Sequence, residues 1–365
     1  MRKKAFIIIG IFILILFGKV IITALQLSPF FFQLLFNKEV NLKKTQDRVN
    51  ILLLGIGGGT HDGPSLTDTI IFASLDPNNN KATLVSIPRD LWVPDLTAYD
   101  KRINTAYIHG ETSRKGGGLI LSSAVVGKII NQPIDYAIRI DFDGFVKAVD
   151  LLGGINVNVV SALDDYHYPI RGQEENLCGH TDTELKDFIA SVSAEQDLWA
   201  YLPCRYKHLH VDAGIQQIGG QTALEFVRSR HAEGEQGSDF ARSGRQAAVI
   251  NGIKDKAFSL NVLVNPAKVI GLYDILRDSV DTNIKEDEFD DFIRLATKMR
   301  TAKIISAVLD SGNPQVQRSG LLINPAISEK YNNEWVLIPR IGNNNFSEIQ
   351  KYVECEIKIG KCPIQ

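Results

Sequence analysis

The chain has 365 residues, of which 44% are hydrophobic, and its 40 basic and 42 acidic side chains leave a formal net charge of −2. This composition excludes a disordered chain, a collagen-like fibre and a small scaffold held together by disulfides. A net charge this close to zero also argues against a surface built as a whole for DNA or RNA, so we expect no nucleic-acid partner. The length predicts two to three domains.

The N-terminal segment predicts a membrane anchor. Residues 1–4 carry three positive charges, and residues 5–27 are apolar over a length sufficient to cross a bilayer as a helix. The charged tail is expected to stay in the cytoplasm, which places the rest of a single-pass protein outside. A cleaved signal peptide and a buried core helix are the alternatives, but the run is longer than the apolar region of an ordinary signal peptide.

Beyond a linker over residues 28–48, which is polar from residue 37 onward, apolar runs alternate with turn signals. Strands are predicted at residues 50–54, 69–75, 82–87, 136–140 and 155–160. Helices are predicted at residues 118–130, 142–152, 221–230 and 240–258. This alternation predicts an α/β fold, an α-β-α sandwich with a mixed central sheet.

Two segments depart from this alternation. Residues 161–213 are polar and irregular and are interpreted as an insertion into a main domain over residues 49–260. The remaining residues, 261–365, are predicted to form a small α/β C-terminal extension. Its predicted helices are residues 266–279, 285–300 and 347–353, and its predicted strands are residues 303–309 and 335–338.

The four cysteines suit an oxidising compartment. Cys178 and Cys204 bracket part of the insertion, and Cys355 and Cys362 bracket a segment near the C-terminus. No pair has the Cys-x-x-Cys spacing of a metal or redox site, so the two local pairings are favoured among the three possible connectivities. The disulfides are expected to brace loops.

A glycine-rich loop over residues 55–59 follows the first predicted strand. A dinucleotide-binding loop would lead into a helix, and a P-loop would end in Lys followed by Ser or Thr. The loop instead leads past Pro64 into another strand. Nucleotide binding is therefore disfavoured, although a glycine loop at a strand end is also where ligands approach the backbone.

Charged residues gather near this loop. The strand over residues 82–87 is followed by Pro88, which directs the chain so that Arg89 and Asp90 stand at its tip. Lys101, Arg102 and Asn104 add two cations and an amide. A surface ion pair is the simpler interpretation of Arg89 and Asp90.

A metal site is predicted at the start of the second strand. Asp68 lies there beside the glycine loop, and Asp62 is a possible second ligand. Mg²⁺ typically takes one or two carboxylates together with phosphate oxygens of the substrate. We therefore expect Mg²⁺, with Mn²⁺ as the alternative.

The densest cluster of charge lies at two consecutive helices. Its members are Arg228, Arg230, Asp239, Arg242, Arg245 and Gln246. The last three share a helix face at spacings of three and four residues, and Asp239 is placed to hold Arg242. Converging guanidinium groups suit a pyrophosphate. A helix surface with salt bridges is the alternative, while the nearby acidic residues argue against a polyanion surface.

Taken in order, these segments resemble the LytR-CpsA-Psr family of bacterial envelope glycopolymer transferases. The resemblance covers roughly residues 50–258. The matching segments are ILLLG (51–55), TDTI (67–70), SIPRDLWV (86–93), RINTAY (102–107), IDYAIRIDFDGF (134–145), VDLLGGINV (149–157), GGQTALEFVRSRH (219–231) and DFARSGRQAAVI (239–250).

The resemblance implies a sandwich that encloses an apolar pocket for a polyprenyl tail, with the pyrophosphate of the lipid held at its mouth by arginines and Mg²⁺. It implies that Asp68 is a metal ligand, that Asp90 holds Arg89 on a phosphate, and that Arg102 is a further contact. The arginine cluster with Gln246 would form the main pyrophosphate clamp. Asp90 and Asp239 are candidates for the general base.

One position departs from the family pattern. Gly57 stands where the family usually has a second acid, so either Asp62 replaces that acid or metal use is weakened. The function implied is transfer of a glycopolymer from a polyprenyl-pyrophosphate carrier to peptidoglycan, outside the bacterial cytoplasmic membrane. A polyprenyl-pyrophosphate hydrolase and a non-catalytic lipid- or glycan-binding module are the alternatives, and Gly57 favours the last.

Overall fold

The computed structural model describes residues 40–364 except residues 60–62, 98–99, 192–194, 258–270, 273, 276, 278 and 314–316. The predicted anchor over residues 5–27, most of the linker and Asp62 lie outside the described residues. Within the described part of the chain, no helix combines the length and apolar character needed to cross a membrane.

The described elements follow the predicted alternation of strands and helices. The strands are β1 (Val49–Ile56), β2 (Thr67–Asp76), β3 (Lys81–Ser86), β4 (Tyr136–Asp141), β5 (Ile155–Val159), β6 (Leu163–Pro169), β7 (Tyr206–Val211), β8 (Gly214–Ile218), β9 (Val280–Thr282), β10 (Lys303–Val308), β11 (Gly312–Asn313), β12 (Arg318–Ser319), β13 (Leu322–Ile323) and β14 (Ile338–Pro339). The helices are α1 (Ala106–Ser113), α2 (Gly117–Ile130), α3 (Phe142–Leu152), α4 (Asp182–Ser191), α5 (Glu195–Tyr201), α6 (Gly220–Arg228), α7 (Asp239–Ala257), α8 (Phe289–Lys298) and α9 (Ser347–Lys358).

The chain divides into two compact units. Among the described residues, the smaller one combines residues 40–43 with residues 284–298 and contains α8, where Arg294 pairs with Asp290 at 2.5 Å and with Asp291 at 3.0 Å. In the same unit, the backbone N–H of Asn41 donates to Asp291 at 3.0 Å. The larger unit, residues 44–283 and 299–365, contains the sheet described next.

A six-stranded mixed sheet organises the larger unit, in the order β10-β3-β2-β1-β4-β9. β1 runs antiparallel to β2 and parallel to β4, and β3 runs parallel to β10. β1 is buried over nearly its whole length, as expected for an apolar strand covered on both faces. The prediction of a mixed central sheet flanked by helices is confirmed.

Both edge strands of this sheet come from the segment predicted as a C-terminal extension. β9 pairs with β4, and β10 pairs with β3. Ile349, Val353 and Ile357 of α9 enter the same apolar core as Leu52 of β1. Strands β9 and β10 therefore complete the sheet, and α9 completes its core. Sequence patterns did not indicate this because edge strands join a sheet through backbone pairing with residues far away along the chain.

The predicted insertion is built on the antiparallel β6–β7 hairpin. Leu163 and Leu209 of this hairpin are buried in a second apolar cluster with Val157 of β5 and Phe226 of α6. Both predicted disulfides are confirmed: Cys178 is bonded to Cys204, and Cys355 to Cys362. The first closes the insertion, and the second ties the last turn of α9 to the residues that follow it.

Candidate anion-binding site

One edge of the central sheet collects charged residues. Because β3 runs antiparallel to β2 and parallel to β10, the start of β2 and the ends of β3 and β10 meet at this edge. Asp68 is the second residue of β2, Arg89 and Asp90 follow β3, and Asp310 follows β10. Three segments that are distant in the sequence therefore place their charges side by side.

Two helices bring the remaining arginines to the same edge. Helix α6 buries Ala223, Leu224 and Phe226, so that Arg228 projects from its last turn. The Arg228 guanidinium lies over the ring of Phe142, 4.2 Å from its centre, a cation–π contact that limits its movement. Phe142 begins α3, whose N-terminus is capped by Asp141 accepting from the N–H of Gly144 at 2.8 Å.

Helix α7 supplies the other wall. Arg242 in its first turn pairs with Asp239 at 2.6 Å. Gln246, one turn further, accepts a hydrogen bond through Oε1 from the hydroxyl of Ser86 at 3.2 Å. Since Ser86 is the last residue of β3, this bond ties α7 to the edge of the sheet that carries Arg89.

These elements enclose an open cavity of about 940 Å³. Nine of the residues predicted for the site line it: Asp68, Arg89, Asp90, Arg102, Arg228, Arg230, Asp239, Arg242 and Gln246. Asp68 and Gln246, which are 178 positions apart in the chain, both line this cavity.

Ion pairs fix the positions of the guanidinium groups. Arg89 donates to Asp68 over 2.5 Å and lies 3.6 Å from Asp90. Arg230 lies 3.6 Å from the same oxygen of Asp90, and Arg228 lies 4.0 Å from Asp68. Two carboxylates thus hold three arginines together in a small volume. Burial would lower the pKa of Arg89, but Asp68 and Asp90 outweigh it and hold that pKa above its usual value.

The pKa of Arg230 is shifted in the opposite direction from that of Arg89. Burial lowers its pKa to about 10, and the neighbouring positive charges of Arg242 and Arg89 act in the same direction. An anion placed among these three arginines would relieve their mutual repulsion. The cavity is therefore suited to binding phosphate groups.

Arg245 has a different place from the other members of the predicted clamp. It does not line the cavity and is 5% exposed. Its guanidinium donates to the carbonyl oxygens of Phe226, Gln236 and Ser229 at 2.7–2.8 Å. Burial lowers its pKa to about 10, with a further contribution from Arg242. Arg245 therefore holds the backbone on both sides of Arg228 and Arg230 and is a positioning residue.

Two other predicted residues, Asn104 and Lys101, do not line the cavity. Asn104 is buried, its backbone N–H donates to the carbonyl of Arg89 at 3.2 Å, and its own carbonyl accepts from the hydroxyl of Thr67 at 3.0 Å. Lys101 accepts through its backbone carbonyl from the N–H of Val93 at 2.7 Å. Neither side chain belongs to the cavity lining.

The C-terminal segment adds lining residues that the sequence did not indicate. Asp310 pairs with Arg318, and Glu334 pairs with Arg102 at 3.1 Å. Trp335, which is 50% exposed, lies next to Glu334 in the same wall. No sequence signal marked them, because their only relation to the arginine cluster is spatial.

The predicted metal ligands give a partial site. The two oxygens of Asp68 face Arg89 at 2.5 Å and Arg228 at 4.0 Å, and Gly57 has no side chain to offer. Mg²⁺ is commonly held by one or two carboxylates and completed by phosphate oxygens and water. Among the described residues, Asp68 thus fits a metal shared with a phosphate ligand, and not one held by protein alone.

The fold and the site together define a mixed-sheet α/β protein with an arginine-lined cavity for a phosphate-bearing ligand. The model of the LytR_cpsA_psr family matches residues 33–328. The chain therefore belongs to this family.

The chain is also similar in sequence to proteins named as teichoic acid transferases. The chain is 29% identical over 253 residues to the polyisoprenyl-teichoic acid–peptidoglycan teichoic acid transferase TagU of Oceanobacillus iheyensis, covering 69% of this chain and 64% of the relative. It is 31% identical over 257 residues to TagU of Bacillus cereus, covering 70% of this chain and 66% of the relative. In both cases the match spans slightly less than two thirds of the relative's length.

The fold is shared with solved structures. The crystal structure of Bacillus subtilis TagV superposes with a TM-score of 0.51 at 22% sequence identity, covering 86% of this chain and 98% of TagV. At this level of identity the likeness concerns the fold.

Proposed function

We propose that the chain is a membrane-anchored, extracytoplasmic phosphotransferase that moves a glycopolymer from a polyprenyl-pyrophosphate carrier to peptidoglycan. The observation that carries this proposal is the convergence of Arg89, Arg228, Arg230 and Arg242 on one cavity. Guanidinium forks bind phosphate oxygens in pairs, so this set suits two linked phosphates. The transfer reaction named for the two TagU relatives supports the same carrier and acceptor.

The proposed reaction is a displacement at phosphorus. A hydroxyl oxygen of peptidoglycan forms a bond to the phosphorus next to the sugar, the bond from that phosphorus to the bridging oxygen breaks, and polyprenyl phosphate leaves with the electron pair. Negative charge grows on the bridging and peripheral oxygens, where the arginines stabilise it. Asp90 and Asp239, both in the cavity lining, are the candidates to accept the proton of the hydroxyl.

Each arginine has a distinct part in this proposal. Arg89 and Arg230 share Asp90, so they are held to face the same phosphate. Arg228, fixed over Phe142, and Arg242, fixed by Asp239, approach from the helices and would hold the second phosphate. Mg²⁺, or Mn²⁺, would be held by Asp68 and by pyrophosphate oxygens, and it would neutralise phosphate charge.

The location is part of the proposal. Residues 5–27 would anchor the chain in the bacterial cytoplasmic membrane, with residues 1–4 inside and residues 28–48 leading outward. The cavity would then lie on the side where lipid-linked glycans meet peptidoglycan. The two disulfides are in keeping with an oxidising compartment. Residues 49–260 would form the catalytic region, to which residues 261–365 add one wall.

The test uses the purified full chain in detergent with a labelled polyprenyl-pyrophosphate glycan, Mg²⁺ and peptidoglycan. Label is expected in the wall fraction, and Arg242→Ala and Arg228→Ala are each expected to reduce its appearance about 100-fold, since one oriented donor to a developing charge stabilises a transition state by about 3 kcal/mol. Arg114→Ala, an exposed arginine outside the cavity, is the matched control and should retain full activity.

The products separate the alternatives. Free phosphorylated glycan without label in the wall would identify a hydrolase and overturn the transferase proposal. Saturable binding of the lipid without any product would identify a binding module and overturn both enzymatic functions.

A further inference from the structure

A second cluster of ligating side chains lies on the β6–β7 hairpin, outside the set of residues that line the cavity. His208 and His210 alternate along β7, so they share one face of the strand. Asp164 on β6 is the direct cross-strand partner of His210 and projects from the same face. Leu209 and Val211 point to the opposite face and are buried. One face of the hairpin is thus packed against the protein, and the other presents two imidazoles and a carboxylate to solvent.

The distances within this cluster suit a metal ion. Asp164 Oδ1 lies 2.9 Å from His208 Nε2 and 2.7 Å from His210 Nδ1. The three ligand atoms all lie within 4.8 Å of one another. Zinc bonds to nitrogen and oxygen of about 2.0–2.2 Å place tetrahedral ligand atoms about 3.3 Å apart. The two separations from Asp164 differ from this spacing by only about 0.4–0.6 Å.

Two further residues orient the imidazoles. Asp212 Oδ1 lies 3.1 Å from His210 Nε2. When Asp212 accepts the Nε2 proton, Nδ1 of His210 is left as the ligand atom, which is the carboxylate–histidine arrangement found around metal sites. The ring of Tyr166 stacks on His208 at 4.1 Å between ring centres and 6° between planes. Both rings are therefore restrained in a geometry that keeps a nitrogen of each directed at Asp164.

We propose that Asp164, His208 and His210 form a Zn²⁺ site with a fourth position open to water. Two imidazoles and one carboxylate favour Zn²⁺ and neighbouring transition metals, whereas Mg²⁺ and Ca²⁺ favour oxygen ligands. This site is separate from the proposed phosphotransfer chemistry and does not depend on it.

The position of the hairpin gives the metal a structural consequence. The carbonyl of Asp164 accepts from the N–H of Glu233 at 2.8 Å. The next residue, Asp165, is fully buried and accepts from the hydroxyl of Ser229 at 2.7 Å. Zinc bound to Asp164 would join β6 to β7 next to these two contacts. It would therefore stabilise the strand pair that contacts Ser229 and Glu233, which lie before and after Arg230 in the chain.

The test titrates ZnCl₂ into the EDTA-washed full chain by calorimetry and follows the melting temperature in parallel. We expect binding of one Zn²⁺ per chain without competition from MgCl₂. At a free zinc concentration about a hundredfold above Kd, the melting temperature should rise by about 3–4 °C. His208→Ala and His210→Ala should each weaken binding more than tenfold and remove the shift. Asp212→Asn should weaken binding about tenfold through the orientation of His210.

Matched controls keep the result decisive. His180→Ala removes an imidazole of the same insertion whose ring stacks on Tyr201, and it should bind zinc like the unchanged chain. His208 and His210 are exposed, so their variants should melt at the wild-type temperature without zinc. Absence of saturable binding at one equivalent, or equal zinc affinity in His210→Ala and the unchanged chain, would overturn the proposal.

Discussion

The guanidinium of Arg245 donates a hydrogen bond of 2.7 Å to the carbonyl oxygen of Ser229, and this bond ties helix α7 to the residue between Arg228 and Arg230. Arg242, one turn earlier on the same helix, faces the cavity and pairs with Asp239. Two arginines three positions apart thus have separate tasks: Arg242 meets the ligand, and Arg245 holds the backbone that presents other ligand contacts.

Replacing Arg245 is therefore expected to affect stability as well as activity. Arg245→Ala leaves the carbonyls of Phe226, Gln236 and Ser229 without their donor, and each buried unsatisfied group costs about 1–3 kcal/mol. We expect the free energy of unfolding to fall by about 3 kcal/mol or more, measured by denaturant unfolding. Arg242→Ala should cost less than about 1 kcal/mol, since partly exposed ion pairs contribute little. Equal destabilisation by the two variants would contradict this division of tasks.

Trp335 is expected to contribute to substrate binding from the C-terminal wall. Its side chain is 50% exposed, so Trp335→Ala should leave the melting temperature unchanged. Loss of its apolar surface from the cavity should raise KM for the lipid-linked substrate about fivefold to twentyfold with a smaller change in kcat. Ile359→Ala, which alters a side chain that is 74% exposed in the same segment, is the control and should leave KM unchanged. An unaltered KM in Trp335→Ala would show that Trp335 does not contribute to substrate binding.

Asp76 is expected to give the fold part of its sensitivity to acid. Burial would raise its pKa, but hydrogen bonds from Asn79 and the charge of Arg48, 2.6 Å away, outweigh burial and hold the pKa below its usual value. A carboxylate whose pKa is depressed by folding stabilises the protein above its unfolded pKa, and this contribution is lost as the pH falls through the folded pKa.

Asp76→Asn should therefore destabilise the protein by about 2–4 kcal/mol at pH 7, since it leaves the largely buried Arg48, whose side chain is 13% exposed, without its charge partner. The difference from the unchanged chain should shrink as the pH falls below about 4, the range in which aspartate is protonated in the unfolded chain. Melting temperatures of both proteins between pH 7 and pH 2.5 measure this. A difference that stays constant over the whole range would contradict the assignment.

Binding of Mg²⁺ is expected to require a phosphate ligand. Asp68 is engaged by Arg89 and faces Arg228, and Gly57 contributes no carboxylate. Calorimetric titration of the zinc-free chain with MgCl₂ alone should show no binding at the cavity, and addition of a short polyprenyl pyrophosphate should create it. Asp68→Asn should weaken the Mg²⁺ binding seen with pyrophosphate about tenfold. Tight Mg²⁺ binding without any phosphate would show that further protein ligands complete the site.

Much of the fold could be predicted because its signals are local. The apolar run of β1 and the boundaries of α3, from the cap at Asp141 to Gly153 with φ of +83°, are present in the residues themselves. The strands of the insertion were missed because β7 exposes His208 and His210 on one face and therefore lacks a continuous apolar pattern. The short helix α1 was not predicted, because its apolar and polar residues are not separated onto two faces of the helix and give no amphipathic pattern.

The sequence by itself determined which charged residues are available and the helical spacing that places Arg242, Arg245 and Gln246 on one side of α7, and it favoured the local cysteine pairings that the structure shows. Only the tertiary structure decided that Arg245 turns to the backbone of α6 and the loop after it while Arg242 turns to the cavity. It also decided that Asp310, Arg318 and Trp335 complete the cavity wall. The reason is physical: spacing along a helix specifies a face, but the partner that this face meets comes from pairing between strands and packing between helices far apart in the chain.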